Sequence, residues 1–145
     1  LLDTIGDIAP RVVTVIGAGV AGTEAIKKAI ATGAHVKIID LSEGKLEQLK
    51  HTFGENKVEY IVSTQQTILE ALVSSDLVIG SVYLIGKQAP KVITKDMISA
   101  MKSGSVIVDI AIDQGGCIET SRPTTHDDPV FVHDGVIHYC VTRET

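Results

Sequence analysis

Three glycines, Gly17, Gly19 and Gly22, stand at the spacing GxGxxG, directly after an apolar β-branched run and at the start of a helical pattern. In that context the first glycine permits a tight turn, the second lets a pyrophosphate approach the backbone, and the third lets the helix pack closely. The free N–H groups and positive dipole end of the helix attract phosphate. The predicted pyrophosphate-binding residues are Gly17, Ala18, Gly19, Val20, Ala21 and Gly22.

An acidic residue completes this pattern. Asp40 ends the next strand pattern, where a carboxylate accepts hydrogen bonds from both ribose hydroxyls of an adenosine. The same charge would repel a 2′-phosphate, so NAD is expected rather than NADP. Two alternatives stay open: a glycine-rich turn without a ligand, and an S-adenosylmethionine enzyme, although such enzymes more often lack the third glycine.

A second set of residues follows the fourth and fifth strand patterns. Ligands of open α/β sheets lie beyond the carboxyl ends of the strands, so this set should face the nicotinamide half of a dinucleotide. Its members are Ser81, Val82, Tyr83, Ile110 and Asp113. Asp113 is the ionisable group expected nearest the reacting carbon, with Gly115 and Gly116 as a hinge; position alone equally allows Asp113 only to cap a turn.

Alternating elements must position these residues. Strand patterns occupy residues 12–16, 36–39, 58–62, 77–79 and 105–110, and a two-residue hairpin turn at 134–135 joins residues 130–133 to 136–141. Helix patterns occupy residues 20–31, 42–53, 64–73 and 94–101, with Ser42 and Thr94 as N-caps. This alternation predicts an α/β protein with a doubly wound Rossmann fold, a mainly parallel sheet and a C-terminal β-hairpin.

Composition bounds the function. A chain of 145 residues with 44% apolar residues fits one globular domain. A net charge of −5 argues against nucleic-acid or anionic-membrane partners. No apolar run approaches the roughly 18 residues of a membrane span, and residues 1–10, expected to form a short helix or linker, lack the basic start of a signal peptide. Two cysteines make no disulfide framework. We therefore expect a cytoplasmic protein.

Other polar residues carry less weight. His126, Asp127, His133 and His138 look superficially like metal ligands, but no metal-site spacing is present, so no metal is expected. Cys117 has no evident partner base, which argues against a thiolate nucleophile.

The stretch from residue 105 onward resembles the bacterial alanine dehydrogenases, within the alanine dehydrogenase/NAD(P) transhydrogenase family. AIDQGGCIET at residues 111–120 is the most specific segment. Supporting segments are TTHDDPV at 124–130, DLVIG at 76–80, APK at 89–91 and HYCV at 138–141. The resemblance covers residues 11–141, and the proton-translocating transhydrogenases differ in the AIDQGGCIET stretch.

This resemblance implies reversible oxidative deamination of L-alanine to pyruvate and ammonia with NAD. It implies that Lys45 and Ser63 contact the adenosine end, and that residues 81–83 line the nicotinamide riboside, with Tyr83 bulkier than the usual aliphatic residue. Asp113 matches the catalytic aspartate of a mobile loop, taking part in proton transfer and water handling around the imine or carbinolamine.

Two departures limit what the resemblance carries. The family's substrate-binding Arg and Lys and its catalytic His belong to a separate catalytic domain, and residues 142–145 replace the usual Asn-Met-Pro-Gly. We expect residues 1–145 to be a single NAD-binding domain, excised from a two-domain enzyme that is a homo-hexamer at full length, and inactive alone. The alternatives are a dinucleotide-sensing regulatory domain, as in potassium-transport regulators, and a degenerate binding module.

Overall fold

A computed structural model describes residues 11–82 and 90–142. The β-strands are β1 (Val12–Ile16), β2 (His35–Asp40), β3 (Val58–Val62), β4 (Leu77–Gly80), β5 (Val106–Asp109), β6 (Val130–His133) and β7 (Val136–Tyr139). The α-helices are α1 (Val20–Ala31), α2 (Glu43–Phe53), α3 (Gln65–Ser74) and α4 (Lys95–Ser99), and a 3₁₀ helix spans Ile110–Gln114. The predicted Tyr83 and the ends at 1–10 and 143–145 lie outside the described residues.

The strands form one sheet in the order β3-β2-β1-β4-β5-β7-β6. All neighbouring pairs are parallel except the antiparallel hairpin of β6 and β7 at the edge. Ile16 pairs with Ile39 of β2 and with Gly80 of β4. The carboxyl ends of β1, β2 and β4 therefore meet at the centre of one sheet edge, and the predicted fold class is confirmed.

Two apolar cores lie on opposite faces of this sheet. Ile26 of α1 and Leu46 of α2 pack with Val15 on one face. Leu72 of α3 and Ile98 of α4 pack in the other core, around residues such as Ile107. Because both faces are covered, the strands consist largely of buried Val, Ile and Leu, which is the pattern of a parallel sheet.

Side-chain caps fix several helix starts. Ser42 accepts a hydrogen bond from the N–H of Lys45 at 3.1 Å, and Thr64 accepts one from Thr67 at 3.0 Å. Thr94 caps α4 as predicted. None of the helices in residues 11–82 and 90–142 is long and apolar enough to cross a membrane.

Three predicted elements extend beyond the ends that the structure shows. The strand predicted at 105–110 ends at Asp109, because the Asp109 carboxylate accepts a hydrogen bond from Ala111 N at 3.0 Å and starts the 3₁₀ helix. The helix predicted at 94–101 ends at Ser99, where the N–H of Ala100 bonds back only three residues, to Met97 O. The last strand ends at Tyr139, and Val141 instead forms an isolated bridge with Thr124.

Candidate dinucleotide site

The glycine turn begins where β1 ends. Gly17 has a φ of +89°, in the region that favours glycine, and its N–H donates to Ile39 O at 2.8 Å. A Cβ at Gly17 would lie 2.9 Å from both Ser81 O and a methyl carbon of Val82. The first glycine is therefore required by the turn and by the segment that follows β4.

The other two glycines have opposite surroundings. A Cβ at Gly22 would lie 2.1 Å from Gly17 O and 2.7 Å from Ser81 Oγ, so the helix start packs tightly against the turn. A Cβ at Gly19 would meet nothing within 4 Å. Gly19 is the N-cap of α1 and offers no side chain to the first N–H groups of the helix. This open, uncapped helix start fits a pyrophosphate group.

Asp40 is tied to this turn. Its Oδ2 accepts a hydrogen bond from Ala18 N at 2.8 Å, and its Oδ1 accepts one from Ser42 N at 2.9 Å. Each carboxylate oxygen has a second lone-pair direction, so both can still accept a hydroxyl donor. Asp40 is only half-buried, and its carboxylate is thus both held in place and open to a ligand.

The segments beside Asp40 form the predicted adenosine end. The backbone N–H of Ser63 donates to Asp40 O at 3.0 Å, and Lys45 lies in the first turn of α2. Leu41 is 78% exposed, and Val62, the register partner of Asp40, is 41% exposed. These two apolar side chains offer a surface to a flat aromatic ring. Sequence reasoning missed them, although an apolar residue directly after the strand-ending acid was a usable signal.

Ser81 has a role that its position did not predict. It is 4% exposed, and its hydroxyl donates to Ile16 O at 3.1 Å and makes a shorter hydrogen bond to Gly17 O. Its N–H donates to Ile16 O as well. Ser81 therefore fixes the glycine turn from β4, while the half-buried Val82 packs against the core. Contact of either residue with a nicotinamide riboside stays a prediction.

The predicted catalytic residue lies on the 3₁₀ helix after β5. Asp113 is exposed, and Ile110, at the start of the same helix, is half-buried. The buried Oε1 atom of Gln114 has no hydrogen-bond partner among the described residues. The 3₁₀ helix thus carries the Asp113 carboxylate beyond the carboxyl end of β5.

Asp109 organises this loop, and the sequence analysis missed it. Asp109 is 2% exposed, and its carboxylate accepts hydrogen bonds from Cys117 N at 3.2 Å, Ile118 N at 3.2 Å and the Ser121 hydroxyl. A Cβ at Gly116, which has a φ of +85°, would lie 2.6 Å from the carboxylate. Gly116 thus has a packing role, and a hinge at Gly115 and Gly116 stays a prediction.

Cys117, set aside as a nucleophile, and His138, one of the residues set aside as metal ligands, are both buried, whereas His126 and Asp127 are exposed. Burial, with the nearby Asp109 carboxylate, raises the pKa of the Cys117 thiol to about 12, so it is protonated at neutral pH. His138 is fully buried between Thr120 Oγ1 at 2.6 Å and Val136 O at 2.9 Å. Within residues 11–82 and 90–142, no three His, Cys, Asp or Glu side chains are grouped so as to hold a metal ion.

Comparison with known proteins gives the family of this chain. The family described as "Alanine dehydrogenase/PNT, C-terminal domain" matches residues 1–143. The chain is 50% identical over 143 residues to alanine dehydrogenase of Halomonas elongata, which covers 99% of this chain and 38% of that enzyme. It is 48% identical over 144 residues to alanine dehydrogenase of Mycolicibacterium smegmatis, with the same two coverages.

Solved structures agree. An L-alanine dehydrogenase superimposes with a TM-score of 0.85 at 43% identity, covering 90% of this chain and 36% of that chain. A transhydrogenase from Sinorhizobium meliloti superimposes with a TM-score of 0.79 at 29% identity, covering 97% of this chain and 40% of that chain. The chain spans 38% of the length of the relatives named above. The family resemblance drawn from the sequence is confirmed: this chain belongs to the alanine dehydrogenase/PNT family and corresponds to its C-terminal domain.

Proposed function

We propose that this chain is the NAD-binding domain of an alanine dehydrogenase. The whole protein would convert L-alanine, water and NAD⁺ into pyruvate, ammonium, NADH and a proton, reversibly. The observation that carries the proposal is the Asp40 carboxylate, held by Ala18 N beside the open position of Gly19. This pairing provides an acid for ribose hydroxyls next to uncapped N–H groups for phosphates.

The chain's own residues would hold NAD in three zones. The first N–H groups of α1 and the glycine turn would bind the pyrophosphate, and Asp40 would accept from the adenosine ribose. Leu41 and Val62 would cover the adenine, with Lys45 and Ser63 near by. Bound NAD supplies a hydride acceptor for the α-carbon of the substrate. Because a 2′-phosphate would meet the Asp40 charge, these residues favour NADH over NADPH.

Asp113 is the proposed proton-handling residue of this domain. It is exposed on the 3₁₀ helix beyond the carboxyl end of β5, where the reacting end of a dinucleotide is expected. A carboxylate there can order a water and move its proton while the amine is exchanged for a carbonyl oxygen. The separate catalytic domain of the longer enzyme would supply the groups that bind the alanine carboxylate and amine.

The remaining expectations follow from family membership. We infer a two-domain polypeptide, a homo-hexamer at full length and a cytoplasmic location. Both cysteines in the described part of the chain are free and buried, which agrees with a reducing compartment. The regulatory, dinucleotide-sensing alternative is less favoured, because such a domain has no need of an exposed aspartate held on a loop organised by Asp109.

Two measurements test this function. Calorimetric titration of the chain should give binding of NADH at least about tenfold tighter than NADPH. The full-length protein should form NADH from NAD⁺ only when L-alanine is added, and Asp113→Asn should lower that rate while leaving NADH affinity unchanged. NADPH bound as tightly as NADH contradicts the cofactor assignment. A full-length protein that binds NADH but leaves alanine unoxidised contradicts the reaction.

A further inference from the structure

We infer that Lys91 is a positioning residue that holds the Asp113 loop from the neighbouring loop. The inference rests on the proposed role of Asp113. It assigns to Lys91 no contact with cofactor or substrate. Its ammonium instead fixes the position of the solvent-exposed end of the loop that carries the Asp113 carboxylate.

The contacts of Lys91 are specific. Its Nζ donates hydrogen bonds to the carbonyl oxygens of two successive residues, Gly116 at 2.7 Å and Gly115. Both glycines have positive φ values, +92° at Gly115 and +85° at Gly116. Gly115 is the C-cap of the 3₁₀ helix. Carbonyls at a helix C-terminus carry negative partial charge, so a cation there is favourable. The ammonium thus binds the two carbonyl groups that follow the 3₁₀ helix, two and three residues after Asp113.

The inner end of the same loop is held independently. The Asp109 carboxylate accepts from Ala111 N and, on the return side, from Cys117 N and Ile118 N. Asp113 therefore lies between a buried anchor and an exposed one. Removing the exposed anchor leaves the buried one in place.

The backbone also joins the two loops without the lysine side chain. Val92 N donates to Cys117 O at 2.9 Å, and Glu119 N donates to Ile93 O at 2.8 Å. Ile93 and Ile118 form an isolated parallel bridge and are both fully buried. Lys91 itself is exposed. A Lys91→Met substitution therefore removes the ammonium and leaves the fold of both loops supported.

The position of Lys91 gives this contact a functional meaning. Lys91 belongs to the connection that follows β4, and Asp113 to the connection that follows β5. Both connections leave the carboxyl edge of the sheet, where the reacting end of the cofactor is expected. The Lys91 side chain joins the two connections, and it therefore fixes the position of the Asp113 loop relative to the connection that follows β4.

The test uses the full-length protein with Lys91→Met, Lys91→Arg and the control Lys102→Met. Lys102 also joins two segments, through Asp76 at 2.7 Å, but it lies at the amino ends of the strands. At saturating NAD⁺, Lys91→Met should lower kcat by roughly tenfold or more, since small displacements of reacting groups have effects of that size. NADH affinity should stay within about twofold, and Lys91→Arg should restore most of the rate.

Hydrogen–deuterium exchange provides a readout that needs no turnover. Gly115 N and Gly116 N donate to Ile112 O and Ala111 O, so their exchange should quicken in Lys91→Met and stay unchanged in Lys102→Met. Unchanged kcat and unchanged exchange would overturn the inference. So would a loss of NADH affinity at unchanged kcat, which would make Lys91 a ligand contact. If the wild-type protein fails to oxidise alanine, the proposed function fails, and the exchange result still decides whether Lys91 holds the loop.

Discussion

The backbone N–H of Ala18 donates a 2.8 Å hydrogen bond to the carboxylate of Asp40. The end of β2 is thereby joined to the glycine turn that follows β1. The acid expected to choose between two cofactors is also part of the framework of the phosphate site. A substitution of Asp40 should therefore affect specificity and local order together.

Asp40→Asn should weaken NADH binding and reduce the preference of the protein for NADH over NADPH. The amide keeps one acceptor oxygen but loses the charge, and a hydrogen bond to a charged group contributes about 1.5–3 kcal/mol, or roughly a 10- to 100-fold change in Kd. Fluorescence titration measures the dissociation constants of both NADH and NADPH. Asp127→Asn, an exposed carboxylate far along the chain, is the matched control and should leave both unchanged. An unaltered NADH/NADPH ratio in Asp40→Asn would exclude Asp40 as the selector.

Gly19→Ala and Gly22→Ala should separate binding from stability. The new methyl at Gly19 enters open space at ordinary φ, so the unfolding free energy should fall only by the N-cap preference of Gly over Ala, about 1 kcal/mol or less, while NADH binding is lost. The methyl at Gly22 would lie 2.1 Å from Gly17 O, and the forced backbone shift should destabilise the protein by about 1–3 kcal/mol. Thermal melting with and without NADH distinguishes the two. Retained NADH affinity in Gly19→Ala would place the pyrophosphate elsewhere.

Cys117 should resist alkylation in the folded protein. Burial raises the pKa of its thiol to about 12, so thiolate is scarce at pH 8, and the side chain is fully buried. Burial also raises the pKa of Cys140. Mass spectrometry after iodoacetamide treatment should find neither cysteine modified, whereas protein unfolded in guanidinium should be modified at both. Rapid modification of native Cys117 would reopen its assignment as a nucleophile.

Stability should fall on acidification, in part through His138. Burial lowers the pKa of its imidazole below 6.5, and the hydrogen bond to Val136 O does not offset that effect. Below about pH 6.5, His138 is therefore protonated in the unfolded chain and stays neutral in the folded chain. The free energy of unfolding falls by up to about 1.4 kcal/mol for each pH unit of acidification. His138→Phe should flatten this slope in urea titrations between about pH 7 and pH 5.

The control for that experiment is His126→Gln, because His126 is exposed and its removal leaves the buried ring in place. Phe131 stacks on His138 with ring centroids 4.8 Å apart, so the aromatic replacement fills a place already adapted to rings. An identical slope in wild type and His138→Phe would assign the acid sensitivity to other groups.

Local patterns predicted the parts of the site that local rules govern. The glycine turn, Asp40 at the strand end, the Ser42 cap and the hairpin at Asp134 depend on residues close in sequence, and each lies where the spacing indicated. Asp109 could not be found this way. A strand-final aspartate gives no sign that the chain will return over it and bury it under Cys117 and Ile118.

The same limit applies across the sheet. Ser81 is predicted as a cofactor contact because it follows β4, and this stays a prediction; the engagement of its hydroxyl with Gly17 O was not predicted. That contact depends on β1 and β4 being neighbours, a consequence of strand order that no single segment encodes. The lysine at 91 was noted only as part of a resemblance, since its partners lie in a separate loop.

The pairing of β1 with β4 also has a consequence for how the site comes into existence. The strands β1, β2 and β3 pair among themselves, and they are made first on the ribosome. The glycine turn belongs to this early half, but Ser81, which fixes Gly17 O, arrives only after the chain crosses back to the far side of β1. A nascent chain that ends before β4 would already join the turn to β2 through Ile39 and Asp40, but it would lack the contact of Ser81 with Gly17 O. The last contact that holds the glycine turn therefore forms only when the two halves of the sheet join.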